Sequence, residues 1–169
     1  DLNYINKVKN GLHRRGPDSF GYQLEFDNNL FLSHSRLSIQ DVSNSASQPM
    51  SLKSGRFTIL FNGEVYNHFE LRNRFLSDIN FISNSDTETI LYLIDKLGIN
   101  KALSLLDGMV SIVIFSREDG KLFFYRDKSA QKPLFYAFSR NNKTFSISSN
   151  PSLFFKISNE LQKEYELSE

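Results

Sequence analysis

The chain has 169 residues, with 20 Lys plus Arg against 19 Asp plus Glu, 16 Phe, 7 Tyr and no Cys. At that length a single hydrophobic core is expected, burying about 70% of the unfolded surface, and the near-neutral charge gives no electrostatic reason to expect nucleic acid or a membrane as partner. The missing cysteines exclude disulfides, thiolate metal sites and a cysteine nucleophile within these residues, and no apolar run approaches the roughly 20 residues that span a bilayer, so a cytoplasmic setting is expected.

Leu2, Ile5, Val8 and Leu12 recur at helical spacing until Gly16-Pro17 breaks the pattern. Two strands follow, over about 20–26 and 30–37, joined by Asp27-Asn28-Asn29 as a hairpin; alternation puts Leu30, Leu32, His34 and Arg36 on one face. Residues 41–54, rich in Ser and Asn, read as a surface loop. The apolar strand 57–61 runs into Asn62-Gly63, where a tight turn should end it.

Leu71, Phe75 and Leu76 suit one helix. Ile90, Leu91, Ile94 and Leu97 suit a second, opened by the capping-box pattern Ser85-Asp86-Thr87-Glu88 and stopped by Gly98. A third, short helix is expected over about 101–106. Strands are then expected over 110–116, 121–125, 134–138 and 144–148, with turns at Glu118-Asp119-Gly120 and Arg140-Asn141-Asn142. Because Ile112, Val113, Ile114 and Phe115 are apolar at every position, that strand should be covered on both faces. Residues 158–169, with four Glu against one Lys, read as a polar tail or linker after a domain spanning 1–157.

Each polar cluster has a local explanation. Asn-Gly pairs tolerate the backbone of tight turns, Ser85 to Glu88 suits a helix cap, His34 and Arg36 could be a satisfied core histidine and an ion-paired arginine, and Arg14-Arg15-Gly16-Pro17-Asp18 and Arg126-Asp127 could be structural ion pairs. Their joint order carries more. Arg15-Gly16-Pro17-Asp18, His34-Ser35-Arg36-Leu37-Ser38-Ile39, Gln48-Pro49, Phe61-Asn62-Gly63-Glu64-Val65-Tyr66-Asn67, Ser85-Asp86-Thr87-Glu88, Leu106-Asp107-Gly108-Met109, and Arg126-Asp127 through Lys132-Pro133-Leu134 follow one another from Arg15 to about Leu153. This string resembles the class II glutamine amidotransferase domain of glutamine-hydrolysing asparagine synthetases.

The resemblance implies an α+β fold of the N-terminal-nucleophile hydrolase type, an αββα sandwich of two antiparallel sheets flanked by helices. It also implies roles by position. Asn62, through its side-chain amide, and Gly63, through its backbone N–H, would form the oxyanion hole. Arg36 would take the α-carboxylate of glutamine, and Asp86 its α-ammonium. Leu37, Ser38, Ile39 and Gln40 would line the pocket, and Glu64 would contact the amide end. In that family the nucleophile is an N-terminal cysteine whose α-amino group can act as general base, near pKa 7.7–8.0.

The family's opening Met-Cys-Gly strand has no counterpart here, so an N-terminal truncation is expected and the chain as given should be inactive. Arg14 stands where the family usually has His, Ala130 where it has Gly, and Ser149-Asn150 where it often has Ser-Glu. The expected parent hydrolyses glutamine to glutamate and ammonia and passes the ammonia to a C-terminal synthetase domain. No metal or cofactor is expected in the glutaminase domain; ATP and Mg would serve the synthetase domain alone. The alternative is a catalytically inactive domain that binds glutamine or a partner in a regulatory role. The ammonia acceptor stays open, as does assembly into a homodimer.

Overall fold

The computed structural model describes residues 2–25, 27, 29–37, 46–139 and 143–157. Its centre is an antiparallel sheet of four strands in the order β3 (Met50–Ser51), β4 (Phe57–Val65), β5 (Gly108–Ser116) and β6 (Lys121–Arg126). Alternation along β4 sends Ile59, Phe61 and Val65 to one face, where Val110, Ile112 and Ile114 of β5 join them. Three helices cover that face: α2 (His68–Phe75), α3 (Asp86–Leu97) and α4 (Ile99–Ser104). Ile59, Ile90, Leu91, Ile112 and Ile114 are completely buried, each worth about 1.5–3 kcal/mol of apolar transfer.

The other face is covered by two antiparallel hairpins, β1 (Ser19–Glu25) with β2 (Leu30–Arg36) and β7 (Phe135–Ser139) with β8 (Thr144–Ser148). Val113 and Phe115 are buried, as the continuous apolar run requires. Outside the hairpins, α1 (Leu2–Leu12) and α5 (Ser152–Ile157) pack together through Val8, Leu12 and Leu153, with Phe20 and Phe31 against them. The layers are thus helix, sheet, sheet, helix, with the second sheet divided into two pairs of strands.

Several local expectations need correction. The strand does not end at Asn62-Gly63: β4 continues to Val65, with Asn62 opposite Ser111 and Gly63 opposite Val110. Glycine is needed there because a Cβ would overlap the carbonyl oxygen of Met109, and a Cβ on Gly108 would likewise overlap that of Glu64. Close approach of two strands, not a turn, selects these residues. Within the predicted loop 41–54, Ala46, Gln48 and Met50 are buried and β3 pairs Met50 with Ile59. Helix α5 had no sequence signal, being only six residues long.

Helix α3 begins and ends where predicted, but not through a capping box. Ser85 accepts a hydrogen bond from the N–H of Thr87, whereas Glu88 accepts from the N–H groups of Ile82 and Ser83 instead of reaching back to Ser85. Gly98 stops it at φ 81°. The predicted turn at Arg140, Asn141 and Asn142 and the predicted tail over residues 158–169 lie outside the described residues.

Candidate functional site

Three elements far apart in sequence meet around a cavity of about 320 Å³. Strand β2 contributes His34, Ser35 and Arg36, with Leu37 just beyond; β4 contributes Asn62, Gly63 and Glu64; the start of α3 contributes Asp86 and Thr87. Alternation explains the β4 set in part, since Leu60, Asn62 and Glu64 face away from the helical core. Every predicted site residue that is described therefore lines one cavity: Arg36, Leu37, Asn62, Gly63, Glu64 and Asp86. Ser38, Ile39 and Gln40 fall outside the described residues.

The cavity places a guanidinium and a carboxylate on different walls. Asp86 accepts a hydrogen bond of 3.0 Å from the N–H of Val65. Burial raises its pKa above the usual carboxylate range and the nearby charge of Glu64 adds to this, against the stabilising backbone hydrogen bonds from Val65 and Thr87. Two acidic groups thus share the α3 side of the cavity.

At the other side the buried polar atoms are incompletely paired. Asn62 Nδ2, Ser35 Oγ and His34 Nδ1 have no hydrogen-bond partner among the described residues. Burial, reinforced by the charge of Arg36, lowers the His34 pKa to about 4 against a hydrogen bond to the backbone of Phe61, so the imidazole is neutral at pH 7. His34 is therefore half-buried, with a buried and unpartnered Nδ1 among the described residues, and is not the fully satisfied core histidine that its strand position suggested. Unpaired buried donors and acceptors are costly and rare, and here three of them cluster in residues that also border a second, adjoining cavity of about 150 Å³ between β2 and β8.

Sequence reasoning quoted Arg15, Gln48 and Lys132 within motifs without giving them a place at the cavity, yet all three line it. Gln48 is the clearest omission. Its Oε1 accepts from the N–H of Phe61 at 2.6 Å and its Nε2 donates to the carbonyl of the same residue at 3.1 Å, so one side chain fixes the peptide groups next to Asn62. The Gln48-Pro49 pair was visible, but nothing local announces a side chain bonded across 13 positions. Arg15 also donates to the carbonyl of Ser149, closing the end of the gap between the hairpins.

Other motif residues serve the scaffold. Asn67 donates to the carbonyl of Leu105 and accepts from the N–H of Asp107. Asp127 accepts from the N–H of Val110 and so extends the β5–β6 pairing. No group of three or more His, Asp or Glu among the described residues is arranged to hold a metal ion, and no described helix is long and apolar enough to cross a membrane.

Comparison with known proteins shows the family and the fold. Residues 1–167 match the family described as the glutamine amidotransferase domain. Asparagine synthetase [glutamine-hydrolyzing] 1 of Bacillus subtilis (strain 168) is 35% identical over 150 residues, covering 88% of this chain and 23% of that protein. Asparagine synthetase [glutamine-hydrolyzing] of Rattus norvegicus is 33% identical over 129 residues, 75% of this chain and 22% of that one. The chain thus spans less than a third of the length of these relatives. Among solved structures, glutamine phosphoribosylpyrophosphate amidotransferase from B. subtilis superimposes with a TM-score of 0.76 at 18% identity, over 92% of this chain and 40% of that chain. The fold is that of the N-terminal-nucleophile hydrolases, and the chain belongs to the glutamine amidotransferase domain family.

Proposed function

We propose that this chain is the glutamine-binding, oxyanion-stabilising part of a glutaminase that feeds ammonia to an asparagine synthetase-like domain. In this reading Arg36 takes the α-carboxylate of glutamine and Asp86 its α-ammonium, matching a zwitterion with one cation and one anion. Leu37, with Ser38, Ile39 and Gln40 beyond it, borders the carboxylate end. Glu64 lies close enough to raise the Asp86 pKa, which favours assigning it to the ammonium end in place of the amide end expected from the resemblance. The observation that carries the reading is the Nδ2 of Asn62, without a hydrogen-bond partner among the described residues, beside Gly63 in a cavity that also holds Arg36 and Asp86.

In the hydrolysis, a thiolate adds to the carboxamide carbon and the carbonyl electron pair moves to oxygen, where Asn62 Nδ2 and the Gly63 N–H would hold the developing charge. Collapse expels ammonia, its proton coming from a nearby acid, and water cleaves the thioester to glutamate. The 169 residues contain no cysteine, so the thiol has to come from outside them. That observation favours a second reading for the chain alone, binding of glutamine without turnover in a regulatory role. The glutaminase half needs no cofactor in this scheme; ATP and Mg belong to the synthetase half, and the setting is cytoplasmic. A homodimer is compatible with it.

Calorimetric titration of the chain with L-glutamine tests the reading. Binding is expected, and Arg36→Ala should weaken it at least about tenfold, equivalent to about 1.4 kcal/mol. Absence of binding to the parent chain, or equal affinity in the variant, would reject it.

A further inference from the structure

Arg72 on α2 is a buried arginine that does not line the cavity, yet its hydrogen bonds are directed at the residues that lead into Asp86. Only 8% of it is exposed. Nη1 donates to the carbonyl of Ser83 at 3.0 Å, Nη2 to the carbonyl of Ser85 at 2.7 Å, and Nε to Thr89 Oγ1 at 2.7 Å. The guanidinium carbon lies 3.7 Å from the ring centre of Phe81, and Phe69 stands 5.8 Å away.

Glu88 supplies the complementary half. Its carboxylate accepts from the N–H of Ile82 at 3.1 Å and from the N–H and hydroxyl of Ser83 at 2.8 and 2.6 Å. The segment before α3, which has no regular secondary structure, is therefore held by its carbonyls from one side and by its N–H groups from the other. It ends at Ser85, whose backbone leads directly into Asp86.

A methionine or leucine would fill the Arg72 site without the desolvation cost of a buried cation, and breaking such an arrangement leaves uncompensated charge. What an apolar side chain cannot do is fix two carbonyls and a hydroxyl at set angles. Lysine, with a rotatable point charge in place of a rigid fork of donors, cannot hold all three either. The placement of Asp86 on the cavity wall depends on that geometry, since its carboxylate must meet the Val65 N–H while facing the cavity.

We propose that Arg72 is a positioning residue for the ammonium end of the amino-acid ligand, acting through the Ser83 and Ser85 carbonyls to set the bearing of Asp86. This inference rests on the reading that Asp86 takes the ammonium group. It predicts a ligand-selective defect. Loss of the fork should penalise ligands that carry an ammonium and spare those that do not, which a general packing defect would not do.

The test is calorimetric titration of the parent chain and Arg72→Lys with L-glutamine and with glutaramate, the same molecule without its amino group. In the parent, glutamine should bind at least about tenfold more tightly. Arg72→Lys should weaken glutamine about tenfold while leaving glutaramate within about twofold, and should add nothing to the defect of Asp86→Asn in the double variant. Thr89→Val, which removes the Nε acceptor together with the longer contact from the Thr89 hydroxyl to the Ser85 carbonyl, gives a milder variant if Arg72→Lys does not fold; it should show the same selectivity at about threefold. Equal weakening of both ligands, no weakening of glutamine, or an additive double variant would overturn the positioning role while the glutamine reading stands. Failure of the parent to bind glutamine would overturn that reading, and this inference with it.

Discussion

Asp86 combines a functional position with a cost in stability. Its folded pKa is raised, chiefly by burial, so the folded chain holds a proton that the unfolded chain has already released above about pH 3.9. Stability from this group therefore falls as pH rises from there through the folded pKa, and at pH 7 the ionised form is a liability. Asp86→Asn keeps an acceptor for the Val65 N–H and removes the charge. It should be more stable than the parent near pH 7 in urea denaturation, with the difference closing below about pH 4, and it should bind glutamine about tenfold more weakly. A parent that is more stable than the variant at pH 7 would contradict this account. A residue whose local cost is offset only by a ligand is what a binding site should contain.

At the scale of elements, turns and caps were legible where the chemistry is local and misread where it is not. Ser85 and Gly98 bound α3 because a side-chain oxygen and a glycine at positive φ act on their immediate neighbours. Asn62-Gly63 was misread because the residue types that suit a hairpin turn also suit two strands crossing closely. Ala130 presents the reverse case. It follows β6, donates from its N–H to the carbonyl of Asp127, and adopts φ 51°, a left-handed conformation that costs a residue with a Cβ roughly 1 kcal/mol. The glycine that the resemblance leads one to expect at this position would have a physical reason here. Ala130→Gly should be neutral or stabilising by up to about 1 kcal/mol, whereas the same substitution at an ordinary helical or strand position destabilises; a loss above that size in thermal unfolding would show that the methyl group packs usefully.

At the scale of the molecule, the outer layers are tied to each other at one end and the hairpin layer to the central sheet at the other. Near the cavity, Arg15 meets the Ser149 carbonyl and Asn150 Nδ2 meets the Gly11 carbonyl. At the opposite end, Arg117 donates through Nε and Nη2 to Glu25 Oε1 at 3.1 and 2.6 Å, and through Nη2 to Thr58 Oγ1 at 2.8 Å, joining the end of β1 to the starts of the β4–β5 pairing. Both side chains are mostly shielded, Glu25 at 16% and Arg117 at 28% exposure. The hydrogen bond from Arg117 holds the Glu25 carboxyl below its usual range, so this contribution is present above the unfolded carboxylate pKa and is lost as pH falls through the folded one. Arg117→Met should cost about 2 kcal/mol at pH 7 and progressively less on acidification. A pH-independent loss would assign the effect to packing.

The buried strands, the limits of α3, the lack of an internal thiol and, through an ordered set of motifs, the family can all be read from the order of the amino acids. These depend on periodicity, capping and composition, which act over a few residues. That Arg36, Asn62 and Asp86 line one cavity, that Gln48 braces Phe61 beside it, and that the second sheet is divided into two hairpins emerges only once the chain is folded. Such facts depend on distances between separate elements, and those distances are set by how the layers pack, a quantity no stretch of adjacent residues encodes.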